Sequence, residues 1–214
     1  MNKGPIKGFT FVIFGNMDLI DNLPDPIAIF IAEQRRAKEA GEHWEACAGA
    51  LATVNEAGAP TVRFVLVKSA DERGLRFFTN RESEKGKHLA RDRRAAIAFH
   101  FTTTGVQLRF EGEAFPLSDE ENDAYFRERP RESQIGAWAS KQSQILESWE
   151  ALIQQYHEFS RHFEGKEVGR PPQWGGYRLE VKRAEYWLEG MYRLHKRVRF
   201  ERTPDGWVKN WLYP

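Results

Sequence analysis

Near the end of this sequence two arginines and a histidine alternate, at Arg193, His195 and Arg197, just downstream of Trp187. Alternate residues of an extended strand point to one face, so the spacing predicts a face that is both cationic and titratable. Such a face is costly to bury without anions. A guanidinium with a pKa above ~12 is a poor base, so Arg193 suits positioning and charge stabilisation. His195, as the residue type best suited to exchanging a proton under physiological conditions, is the other candidate, and proton acceptance by Arg193 stays open.

Two further groups have anion-binding chemistry. Arg63 and Lys68 flank the run TVRFVLVK (61–68), and Lys85 follows Ser83, a predicted helix cap. Backbone N–H groups at a helix start favour an anion. Together the three cations could hold a phosphate through charge-assisted hydrogen bonds. Tyr125 and Arg129 are spaced to share a helix face, with Ser133 just beyond. Hydroxyls and a guanidinium suit a second phosphate. Taken singly, each of these residues reads as an ordinary solvated group.

Other chemistries find no support. His43, His88, His100, His157 and His162 show no metal-ligand spacing and read as surface or packing residues. Cys47, the one cysteine, lies in an apolar stretch and reads as a small buried residue. No GxGxxG, P-loop or Gly-x-Ser-x-Gly motif occurs.

The elements that must position these groups can be read in part. Asp25-Pro26 starts a helix predicted over 26–40, closed by Gly41. Strands are predicted at 47–54, 61–68 and 75–80, separated by Gly- and Asp-containing turns. Ser83 caps a short helix to about 91, followed by strands at 95–101 and 106–115. Ser118 with Glu121 has capping-box spacing and opens a helix to about 128, which Pro130 ends. Residues 143–163 have helical periodicity in Ile145, Trp149, Leu152, Ile153, Tyr156 and Phe159. Beyond Arg170-Pro171-Pro172 the chain returns to strands, with a turn at Pro204-Asp205-Gly206. The simplest architecture is one domain, a mainly β antiparallel barrel with helices packed outside it.

The 32 basic and 31 acidic residues leave a net charge of +1, which favours neither nucleic acid nor an anionic membrane. No apolar run reaches the ~18 residues that span a bilayer, and a cytoplasmic protein is expected. Residues 1–25 read as an arm outside the domain at 26–214.

The runs RFVLVK (63–68), FTN (78–80), SEKG (83–86), YFRERPRES (125–133), IGAWASKQS (135–143), PPQWGGYRL (171–179) and RLHKR (193–197) resemble, in order, the signature of the pyridoxamine 5'-phosphate oxidase family. The likeness runs from about residue 26 to the C-terminus. It implies an FMN-binding split β-barrel acting as a homodimer with flavin sites at the interface. FMN would be held by Arg63, Phe64, Val65, Leu66, Val67, Lys68, Phe78, Thr79, Lys85, Gln107, Gln142, Ser143, Trp187 and Arg197. The resemblance assigns the substrate's phosphate to Lys68, Tyr125, Arg129 and Ser133, and places Arg193 and His195 by its ring. The implied reaction oxidises pyridoxamine or pyridoxine 5'-phosphate at C4', with hydride passing to flavin N5 and O2 reduced to H2O2. Three positions depart from the family pattern. Glu84 stands where arginine is usual, which implies a weaker hold on the FMN phosphate. Phe78 replaces a common tyrosine, and Lys196 a common aspartate. Two other readings remain: a related FMN oxidase acting on another substrate, such as a phenazine precursor, and a non-catalytic module that binds flavin or pyridoxal phosphate.

Overall fold

A computed structural model describes residues 20, 22, 25–43 and 45–214, so most of the expected N-terminal arm lies outside the described residues. Helix α1 (Pro26–Glu39) starts where Asp25 accepts the Ile27 N–H at 2.8 Å. After a short 3-10 turn come strands β1 (Ala48–Val54), β2 (Pro60–Asp71) and β3 (Gly74–Asn80). Helix α2 (Glu84–Arg91) follows its Ser83 cap, then β4 (Arg94–Phe101) and β5 (Val106–Pro116). Helices α3 (Asp119–Glu128), α4 (Arg131–Ala139) and α5 (Trp149–His162) form a layer outside the sheet. Strands β6 (Trp174–Leu188), β7 (Lys196–Thr203) and β8 (Gly206–Leu212) complete the fold.

All strand pairs are antiparallel, in the order β3-β2-β1-β4-β5-β6-β7-β8. Pairing of β3 with β6 closes six strands into a barrel and leaves β7 and β8 as an extension. Full closure removes the open edges of the first six strands. Period-2 alternation fills the barrel with Leu51, Val67, Phe77, Ile97, Leu108 and Phe110. Phe30 of α1 closes over this core, with its ring 4.6 Å from Phe99 and 5.6 Å from Phe110. Burying one such aromatic contributes roughly 2–3 kcal/mol, so α1 is held by packing more than by helix propensity.

The capping box at Ser118/Glu121 is present, and α3 is tied to the barrel by ions. Arg178 of β6 bonds Asp71 at 2.6 Å and Glu121 at 2.7 Å, and Arg170 bonds Asp119 at 2.8 Å. Gly176 is required beside α3, because a Cβ there would lie 2.6 Å from the Phe78 ring.

Helix α3 ends at Glu128, just ahead of Pro130, as expected, and Pro130 is also the N-cap of α4, a helix the sequence reading did not include. Two expectations need correction. The next helix starts at Trp149 under a Ser148 cap, not at 143. Ile145, counted in its periodicity, is fully exposed. The strand expected through Arg193 and His195 begins only at Lys196, because Tyr192 and Arg193 both adopt positive φ (57° and 62°).

Candidate active site

Strand β2 sorts its residues onto two faces. Val65 and Val67 enter the core, while Val62 (70% exposed), Phe64 (73%) and Leu66 (40%) stand on the outside. Arg63 lies on the inner side, at the barrel end beside α2. Nη1 donates to Thr53 Oγ1 at 2.7 Å and Nη2 to Thr61 Oγ1 at 2.7 Å.

Lys85, in the first turn of α2, is 8% exposed. Its ammonium donates at 3.3 Å to Thr79 Oγ1, Ser83 Oγ and Gln142 Oε1, all neutral acceptors. Burial lowers the Lys85 pKa, the Arg63 charge lowers it further, and Glu84 pulls the other way. Burial likewise lowers the pKa of Arg63 against the pull of Glu84. Two buried-edge cations facing neutral oxygens form a cradle that an anion would satisfy.

Next to this cradle is a cavity of about 410 Å³ lined by Phe64, Thr79, Lys85, Arg129, Ser133 and Gln142, among others. A neighbouring cavity of about 520 Å³ is lined by Leu66, Lys68, Tyr125, Arg129 and Ser133. Arg129, Ser133, Phe78 and Trp174 line both, so the two are lobes of one groove. Phe78 stacks on Tyr125 at 3.9 Å and on Trp174 at 5.3 Å. The Arg129 guanidinium lies 5.0 Å above Trp174, and its Nη1 is buried with no hydrogen-bond partner. Burial lowers its pKa and raises that of Tyr125. A buried guanidinium nitrogen without an acceptor is the feature an incoming phosphate would relieve.

The expected three-cation cluster is therefore divided. Lys68 lines the second lobe, on the strand face opposite Arg63, while Lys85 lines the first, with Arg63 outside that lining but close enough for its charge to lower the Lys85 pKa. Val67 brings no side chain to the groove, being fully buried in the core. Ser143 is exposed in a turn at φ 71°, beside Gln142.

The C-terminal set gathers elsewhere. Gln107 of β5, Trp187 of β6 and Arg197 of β7 are direct cross-strand neighbours and share one face. Arg197 Nε binds Glu185 Oε1 at 2.8 Å, and Arg109 Nη2 binds Glu185 Oε2 at 2.6 Å. The Glu185 bond raises the Arg197 pKa. His195 lies 4.6 Å from Trp187 and accepts the Gly190 N–H at Nδ1 (3.2 Å). A neutral His195 therefore carries its proton on Nε2 and presents a donor there. Arg193, in the turn before β7, is exposed.

Neither lobe of the groove is lined by Gln107, Trp187, Arg193, His195 or Arg197. Phe78 pairs with Gly176 on β6, and Trp187 lies far along that same strand. At 3.3 Å per residue the strand contour between them is roughly 35 Å. One chain thus carries two separate groups of candidate residues, one beside α2–α4 and one on β5–β7. Between them the outer sheet face is apolar, with exposed Phe64 and Leu66 beside Ala48, Ala50 and Ala98. Phe64, the alanines and Gln107 line a shallow cavity of about 370 Å³ on that face. An exposed patch of this kind marks an interaction surface.

Sequence reading missed Glu185, Arg109, Thr53, Thr61 and His88, all of which hold site arginines or their supports. Their roles depend on cross-strand pairing and leave no local signal. Among the described residues no cluster of His, Cys, Asp and Glu could hold a metal, and no helix is long and apolar enough to cross a membrane.

Residues 38–162 match the family described as "Pyridoxamine 5'-phosphate oxidase", and residues 174–214 match its "C-terminal dimerisation region". A "Pyridoxine/pyridoxamine 5'-phosphate oxidase" of Anaeromyxobacter dehalogenans is 51% identical, covering 89% of this chain and 96% of that protein. One of the same name from Alkalilimnicola ehrlichii is 46% identical, over 90% and 98%. The crystal structure of PhzG from Burkholderia lata, in complex with tetrahydrophenazine-1-carboxylic acid, superposes with a TM-score of 0.85 at 33% identity. It covers 92% of this chain and 96% of that one.

Proposed function

The chain belongs to the pyridoxamine 5'-phosphate oxidase family, and from that premise we propose that it is an FMN-dependent oxidase of pyridoxamine or pyridoxine 5'-phosphate, using O2 and working as a homodimer in the cytoplasm. The observation that carries this reading is the two-lobed groove, in which two separate cationic sites, neither engaged in a salt bridge among the described residues, border one aromatic wall. The lobe with Lys85, Thr79 and Gln142, beside Arg63, fits a flavin phosphate. The lobe with Lys68, Tyr125, Arg129 and Ser133 fits the phosphate of the substrate. Residues 26–214 act as one oxidase unit, with the C-terminal strands supplying the second half-site to a partner copy.

Bound FMN would supply the two-electron acceptor chemistry, and the protein supplies orientation and charge. Arg129, with Trp174 behind it, anchors the substrate's phosphate and makes the reaction at the other end effectively intramolecular. The partner's half-site would bring Trp187, Arg193, His195 and Arg197 over the ring. His195 donates from Nε2, since Nδ1 is committed to the Gly190 backbone. Glu185 holds Arg197 and is itself bound by Arg109. Arg193 places positive charge near the substituent being oxidised, without acting as a base.

The likeness to PhzG supports a second reading, oxidation of a phenazine precursor on the same fold. The second lobe weighs against it, since its guanidinium, two hydroxyls and ammonium together match the three oxygens of a phosphate ester better than the single carboxylate of a phenazine acid. The deciding experiment supplies flavin-loaded protein with each substrate class and follows O2-dependent product. Pyridoxal phosphate formation is expected; turnover of phenazine precursors alone would replace the first reading with the second.

Glu84 sits in the first turn of α2, where it opposes the positive charge of Arg63 and Lys85. Being exposed, it acts across screened solvent. Glu84→Arg is expected to tighten FMN binding by about three- to tenfold, since it replaces a nearby anion by a cation. The check is flavin fluorescence titration at low and high salt; the gain should shrink at high salt.

A further inference from the structure

Behind Arg63 lies a buried histidine that the cofactor reading does not use. His88, on α2, is 9% exposed, and its Nδ1 is 3.1 Å from Thr53 Oγ1 and 3.3 Å from Thr61 Oγ1. Those two hydroxyls are the oxygens on which the Arg63 guanidinium rests, each at 2.7 Å. Both oxygens must accept from Arg63, so each has one hydrogen to place elsewhere. Thr61 can place its hydrogen on the Thr53 carbonyl at 3.3 Å. Thr53, itself 1% exposed, has two acceptors in reach, Thr61 Oγ1 at 3.2 Å and His88 Nδ1 at 3.1 Å, and donation to His88 keeps its hydrogen off the Thr61 oxygen that Arg63 Nη2 also uses. The chain of donation therefore runs from Arg63 through Thr53 to His88 Nδ1 as acceptor.

We propose that His88 is a positioning residue of the flavin-phosphate cradle, setting the Thr53 hydroxyl so that Arg63 is held facing the anion. The proposal rests on the reading of Arg63 and Lys85 as the FMN phosphate site. Without an acceptor at position 88, the Thr53 hydroxyl turns its hydrogen to Thr61 Oγ1, where it competes with Arg63 Nη2 for the same oxygen and weakens the rest on which Arg63 sits. The loss falls on recognition of the phosphate, not on the flavin ring.

The test titrates flavin-stripped protein with FMN and with riboflavin, which lacks the phosphate. In His88→Leu the FMN dissociation constant is expected to rise about five- to tenfold, as for loss of one buried hydrogen bond, with riboflavin binding unchanged. His88→Asn, which keeps an acceptor, should recover part of the loss. In an Arg63→Ala background His88→Leu should add nothing. Should His88→Leu fail to fold, the near-isosteric Thr53→Val gives the same comparison, because it removes the intermediate hydroxyl. Equal weakening toward both flavins, or no change toward either, would overturn the proposal. A parent protein that binds FMN no tighter than riboflavin would remove the phosphate site itself and the proposal with it. A parent that discriminates, beside a His88→Leu variant that discriminates equally, would sink the role of His88 alone.

Discussion

Lys85→Ala is expected to weaken FMN binding by about 30- to 150-fold, the 2–3 kcal/mol typical of a charge-assisted hydrogen bond lost from a buried site. The ammonium is buried among neutral oxygens, and both desolvation and the Arg63 charge lower its pKa. In the flavin-free protein this charge is therefore a cost. Apo Lys85→Ala should be as stable as the parent or more so, while its flavin affinity collapses; that opposition separates a binding role from a structural one. The pH dependence has a definite sign. A lowered lysine pKa means the cation is lost at a lower pH than for a free lysine, so parent FMN affinity falls as pH rises into that range. The Ala variant lacks this limb. An FMN dissociation constant within threefold of the parent's would refute the cradle.

Arg129→Ala should reduce kcat/KM for the phosphorylated substrate by a similar 30- to 150-fold, chiefly through KM. Its buried Nη1 lacks an acceptor, and its ring contacts with Trp174 and Phe126 fix the guanidinium in the second lobe. The unphosphorylated alcohol or amine has no anion to lose, so the variant should treat it as the parent does. Arg129→Lys should recover only part of the loss, since an ammonium cannot reproduce the planar fork stacked on indole. Unchanged apparent affinity for the phosphate ester would remove Arg129 from that role.

Much of this arrangement is legible in the chain itself, and what is not has identifiable physical causes. Caps are local, and Asp25, Ser83 and Ser118 each cap the helix they announce. Strand alternation separates Arg63 from Phe64 and Leu66, but it cannot say that the apolar Phe64 face is the exposed one. That outcome depends on what covers the sheet. Ser148 was the available start signal for α5; the apolar Ile145 obscured it. Positive φ at Tyr192 and Arg193 is not predictable from residue type, since neither is glycine, and it broke the alternation expected of the RLHKR run. The supports of the arginines, Glu185, Thr53, Thr61 and His88, become visible only once register is known. The separation of the two residue groups is a property of topology, since β6 carries both the Gly176 end and the Trp187 end.

The most direct test makes mixed dimers from one copy bearing Arg129→Ala and a differently tagged copy bearing Arg193→Ala with Arg197→Ala. If each complete site takes one half from each copy, the mixed dimer contains one undamaged site of two. It should regain about half the parent's specific activity, while both variant homodimers stay near background. Mixed dimers as inactive as the two homodimers would contradict a site shared between copies.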